Sequence, residues 1–67
     1  MAKTIAKVLR DPNEPHHVGF DKALQLALDE MGNNFATGHH DVVVTFELEV
    51  DVNSPGNVGW YKVTLTG

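Results

Sequence analysis

Val42-Val43-Val44-Thr45-Phe46-Glu47-Leu48-Glu49-Val50-Asp51-Val52 alternates strictly: Val42, Val44, Phe46, Leu48, Val50 and Val52 hold the even positions. Val43, Thr45, Glu47, Glu49 and Asp51 hold the odd ones. A period of two is the mark of a long strand with one buried and one wet face. The following Asn53-Ser54-Pro55-Gly56-Asn57 reads as a turn, and Val58 to Thr66 as the strand returning from it. Pairing Glu49 with Lys62 sets Val50 against Tyr61, Leu48 against Val63 and Phe46 against Leu65. In that register the apolar pairs share one face, and Glu47, Glu49, Asp51, Trp60 and Lys62 share the other.

Upstream, Lys3 to Arg10 is a first strand with Ile5, Lys7 and Leu9 on one face and Thr4, Ala6 and Val8 on the other. Asp11-Pro12-Asn13-Glu14-Pro15 breaks it. From Phe20 to Asn33, Phe20, Ala23, Leu24, Ala27, Leu28, Met31 and Phe35 fall on one arc at 100° per residue. Gly19 is the expected N-cap, Asp21 an acid in the first turn, and Gly32-Asn33-Asn34 the stop. The order is β-α-β-β. The fold class expected is α+β, one helix packed on a three-stranded antiparallel sheet, with residues 1–67 forming a single domain.

A 67-residue chain buries too little surface to be more than marginally stable alone. Disulfides and Cys-based zinc sites are excluded because there is no cysteine. Oligomerisation is then the expected supplement. Nine acidic residues against five basic give a net charge of −4, with Lys3, Lys7 and Arg10 in the first ten positions. No dense basic stripe is left for a nucleic acid. No apolar run approaches a membrane span, and the N-terminus lacks the apolar core of a signal peptide. The expectation is a cytoplasmic homo-oligomer with neither a nucleic-acid nor a membrane partner.

Two histidine pairs, His16-His17 and His39-His40, carry the residue type that most often ligates transition metals. They flank a helix about 21 Å long, so four imidazoles cannot converge on one ion. A metal would need one pair with helpers, and His39 and His40 are the candidates. Asp51-Val52-Asn53-Ser54-Pro55-Gly56 begins like a calcium loop but has Pro55 at its fifth position and Lys62 at its twelfth, so it reads as a hairpin turn. Glu47, Glu49 and Asp51 form an acidic ladder, but alternation alone produces such a wet face. The one serine, Ser54, sits in the turn without a base, and no Gly-rich phosphate loop joins a strand to a helix. A non-enzymatic protein is expected. Trp60, an aromatic on the polar face, suits a stacked ligand or a subunit contact. Leu26, off the helix stripe, is a second interface candidate.

Phe20-Asp21-Lys22-Ala23-Leu24-Gln25-Leu26-Ala27-Leu28 and Tyr61-Lys62-Val63-Thr64-Leu65, in this order of elements, resemble the helix and last strand of the dodecins. Those are small β-α-β-β proteins that assemble into hollow dodecamers and bind flavins. The resemblance implies a homo-oligomeric small-molecule binding or storage protein and adds the positions of His40 and Lys62 to Trp60 and Glu49 of the polar face as the expected ligand contacts. Two departures count against a flavin and leave the cofactor unassigned. The family's stacking Trp at the start of the second strand corresponds to about His40-Asp41-Val42, and its last-strand Gln to Lys62, which has no acceptor. The readings from other classes are a protein–protein interaction module or accessory subunit, and a histidine-dependent metal-binding protein.

Overall fold

The computed structural model describes residues 2–52 and 57–67; the Asn53–Gly56 turn lies outside them. Strand β1 (Lys3–Leu9), helix α1 (His16–Asn34), strand β2 (Val43–Asp51) and strand β3 (Asn57–Thr66) follow in the β-α-β-β order. The sheet is antiparallel with β3 in the centre and order β1-β3-β2. One helix packs on it, as the alternation and the helical stripe require.

The core lies between α1 and the β1/β3 half of the sheet. Ala6, Tyr61, Val63 and Leu65 supply the sheet side and Ala23 and Ala27 the helix side. Thr4 is the buried polar member; its Oγ1 accepts a hydrogen bond of 3.0 Å from Asn34 Nδ2. Alternation placed these faces correctly: Thr4 pairs with Leu65, Ala6 with Val63 and Val8 with Tyr61, all toward the helix.

Three local features differ from the sequence reading. The helix starts at His16, four residues before Phe20, with Pro15 as N-cap at φ −62° and ψ 155°. Pro15 has no side-chain acceptor to offer, and the first turn holds no acid, because Asp21 falls in the second turn. The additional turn is held by tertiary contact, which routinely outweighs local signals. His16 Nδ1 lies 2.6 Å from the Tyr61 hydroxyl, and the Tyr61 ring lies against Gly19. Gly19 is therefore a close-approach site inside the helix, where any Cβ would enter the Tyr61 ring. At the other end Gly32 continues the helix to Asn34, and the Phe35 N–H closes it on Met31 O at 2.8 Å.

The third difference is the β2–β3 register. Lys62 faces Glu47 rather than Glu49, Leu48 faces Tyr61 and Phe46 faces Val63. The expected register is displaced by two residues. A shift of two preserves every face, so alternation cannot detect it, and Glu47 satisfies the Lys62 pairing as well as Glu49 would. The last described pair of β2 and β3 sets Asp51 opposite Asn57. Between the Leu48–Tyr61 and Val50–Val58 pairs, Gly59 and Trp60 stand against Glu49 alone, a β-bulge on β3.

Candidate functional site

The outer sheet face, away from α1, is built by the odd positions of β1 and β2 and by their partners on β3. Lys7 stands opposite Lys62, and Lys62 opposite Glu47. Leu9 stands opposite Trp60. Two lysines directly across from each other repel. Each is compensated differently. Lys62 Nζ reaches Glu47 Oε1 at 3.4 Å, while Lys7 Nζ sits 4.5 Å from the centre of the Trp60 ring. Lys62 also lies 6.0 Å from that ring, so two ammonium groups flank one indole. The bulge projects Trp60 from this face, and Gly59 makes room for the Glu49 carboxylate, which occupies the space of its missing Cβ.

Three of the expected site residues thus share one patch: Trp60, Lys62 and Glu49. His40 is not among them. It lies at the opposite end of the sheet, where its Nε2 is 2.7 Å from Ala36 O and its ring packs edge-on against Phe35 at 5.5 Å. The connection there turns through Gly38 at φ +136°, a conformation that favours glycine. Among the described residues no group of three or more His, Asp or Glu side chains is placed to share a metal ion. Leu26 is 45% exposed and lines a shallow groove with Val8, Asp21, Lys22, Gln25 and Asp29.

Lys7, Arg10 and Tyr61 carry contacts that the sequence reading did not single out. Alternation places Lys7 on the correct face of β1, but its place beside Trp60 follows from the β1–β3 pairing, which alternation does not reveal. Arg10 and His16 line a cleft of about 600 Å³ with Pro12, Val50, Asn57, Val58 and Gly59. It opens at the hairpin end of the molecule, on the helix side of the sheet.

The largest feature is apolar. Val44, Phe46, Leu48 and Val50 form the helix-side row of β2, yet each is between 39% and 53% exposed. Helix α1 lies over β1 and β3 and touches this row chiefly where Phe20 meets Phe46 edge-to-face at 5.2 Å. Among the described residues no helix is long and apolar enough to cross a membrane. The chain matches no protein-family model, no curated protein and no solved structure.

Proposed function

We propose that this chain is a dodecin-like, homo-oligomeric and non-enzymatic protein that binds or stores a small molecule. The observation that carries the reading is the bare row Val44, Phe46, Leu48 and Val50. Four consecutive large apolar side chains on one strand face are costly to leave in water, at roughly 25 cal/mol per Å². A continuous apolar stripe of this kind marks an interaction surface. A second copy of the chain is the occupant the reading requires, because a 67-residue domain without cysteine has few other supplements to its own small core.

The ligand is assigned to the Trp60 platform. Trp60 is half-buried with the Lys7 ammonium over its ring and the Lys62 ammonium farther off, so a planar molecule carrying a negative group would stack there by displacing Lys7 from the ring and pairing with the two ammonium groups. No residue set there performs nucleophilic or acid–base chemistry in this reading; binding is the whole activity.

Native mass spectrometry of the purified chain tests both parts. The expected result is a multi-subunit mass with bound small molecules, reduced to monomer by Phe46→Asp and stripped of ligand by Trp60→Ala. A wild-type monomer at micromolar concentration with nothing bound would overturn the proposal. The groove around Leu26 favours a second reading, an accessory subunit that engages another protein. That reading predicts that Leu26→Asp abolishes partner capture and leaves the subunit number unchanged.

A further inference from the structure

Arg10 is an anomaly of charge. In a chain with nine acids and five bases, its guanidinium has no carboxylate partner among the described residues. Its Nη1 donates instead to the backbone carbonyl of Glu14. Both acids of the intervening loop are turned to other work. The Glu14 carboxylate accepts two bonds from Lys22 Nζ, at 2.7 and 2.8 Å, and Asp11 Oδ1 accepts the Asn13 N–H at 2.9 Å. The remaining donors of Arg10 belong to a residue that lines the cleft of about 600 Å³.

His16 lines the same cleft. Its Nδ1 is engaged by the Tyr61 hydroxyl at 2.6 Å, so Nε2 is the ring's remaining polar atom. Where the hydroxyl donates to Nδ1, Nε2 carries the proton and is itself a donor. The rest of the lining is divided between the apolar Val50, Val58 and Pro12 and the backbone-rich Asn57 and Gly59. A few polar groups set in apolar walls, with a volume within the usual ligand range, is the make-up of a small-molecule site.

We propose that this cleft binds a small amphipathic oxyanion, its charged head on Arg10 and His16 and its short apolar body against Val50 and Val58. A planar guanidinium fork matches two oxygens of a carboxylate or a phosphate ester, and both supply that chemistry. The cleft is formed within one chain and opens on the face opposite to Trp60. The cleft shares only Val50 with the apolar row proposed as the interface and no residue with the Trp60 platform, and binding is read at Arg10, Val58 and Gly59, so its failure and theirs are told apart.

The test is a titration of the full chain with phenyl phosphate, with benzoate and with inorganic phosphate, followed by ¹H–¹⁵N correlation spectra that include the Arg10 Nε–H. Saturable shifts at Arg10, Val58 and Gly59 with phenyl phosphate or benzoate, and weaker binding of inorganic phosphate, are expected. Saturation by phenyl phosphate alone assigns a phosphate ester, and saturation by benzoate alone a carboxylate. Arg10→Gln should weaken binding about tenfold or more, the usual effect of losing a charged hydrogen-bond donor. Because Arg10 also holds the Glu14 carbonyl, Asn57→Asp provides an isosteric change at an exposed lining position. It should weaken binding severalfold, and Asn57→Lys should strengthen it, while Lys3→Gln, exposed at the far end of the sheet, leaves the affinity unchanged. No saturable shift at Arg10, Val58 and Gly59 with either aromatic anion, or equal affinity across the Asn57 series, would overturn the proposal; shifts at Lys7 and Trp60 report on the Trp60 platform alone.

Discussion

The two edge strands flank the same central strand and turn the same face toward the helix, yet they are buried in the opposite order from their hydrophobicity. On β1 that face carries Thr4, Ala6 and Val8, a small and partly polar row, and Thr4 and Ala6 are buried. On β2 it carries Val44, Phe46, Leu48 and Val50, large and wholly apolar, and all four are exposed. The size of the side chains explains the inversion. Helix α1 meets the sheet through Gly19, Ala23 and Ala27, all buried, with the Tyr61 ring of β3 seated against Gly19 and the small row of β1 beside it. Ala6 and Thr4 permit that approach; Phe46 and Leu48 do not. The helix settles over β1 and β3, and the helix-side row of β2 stays about half-exposed, met from α1 chiefly by Phe20 at Phe46.

The largest expected effect comes from truncating matched leucines on either side of this divide. Leu65 on β3 is fully buried, so Leu65→Ala should cost about 2–5 kcal/mol. Leu48 on β2 is 39% exposed. Leu48→Ala should cost well under half as much in dilute urea titrations, where the proposed assembly would be dissociated. The gap should narrow as protein concentration rises, because an assembly that covers Leu48 adds its loss to the measured stability. Equal and concentration-independent costs would remove the distinction between the two regions.

Next in size is Gly19→Ala. The added Cβ overlaps the edge of the Tyr61 ring at Cε2 and Cδ2 and comes 2.8 Å from its Cζ, and Tyr61 is too deeply buried to step aside freely. Overpacking of this kind costs about 1–3 kcal/mol, against the usual gain of replacing a helical glycine with alanine. A stabilised variant would mean that α1 does not approach β3 as closely as described. Gly32→Ala is the control, since nothing lies within 4 Å of a Cβ built there. It should be neutral or stabilising. Smaller again is Thr4→Val. The substitution removes a buried hydroxyl but leaves its partner Asn34 at an exposed position, where water can replace the bond. The change should stay within about 1 kcal/mol in chemical denaturation. A larger loss would assign Thr4 a structural role beyond filling space on the small side of the sheet.

The comparison also explains what could be read from the residues. Element order and face assignment were legible because a period of two in Val42–Val52, and a helical period in Phe20–Phe35, are properties of consecutive residues. The β2–β3 register was not, because a displacement of two residues conserves the faces and exchanges Glu49 for Glu47 without penalty. The helix start was not, because Tyr61, forty-five positions away, holds His16. The patch of Trp60, Lys62 and Glu49 could be read from shared parity on one hairpin, whereas Lys7 joined it through a non-local pairing. His40 was carried into the site by the family resemblance alone, and the fold puts it at the other end of the sheet. Arg10 and His16 lay outside the site for a related reason: they meet only after the loop between them closes.

That closure rests partly on the Lys22–Glu14 pair, and it supplies the smallest effect. The hydrogen bond from Lys22 to Glu14 raises the Lys22 pKa above its usual 10.5, with the charges of Glu14 and Asp11 assisting. A lysine whose folded-state pKa is raised contributes stability that is fully present below the unfolded value and is lost as pH climbs through the folded one. Lys22 is about half exposed, so salt and solvent screen most of the gain. Glu14→Gln should therefore lower stability slightly at neutral pH and low ionic strength. The difference from wild type should vanish above the lysine range, and also in about 1 M salt, where the screening length is roughly 3 Å. Glu14→Gln keeps the backbone carbonyl that Arg10 binds. A large loss at neutral pH that survives 1 M salt would show that the hydrogen bonds of Glu14 to Lys22, and not the His16–Tyr61 contact alone, fix where the helix begins.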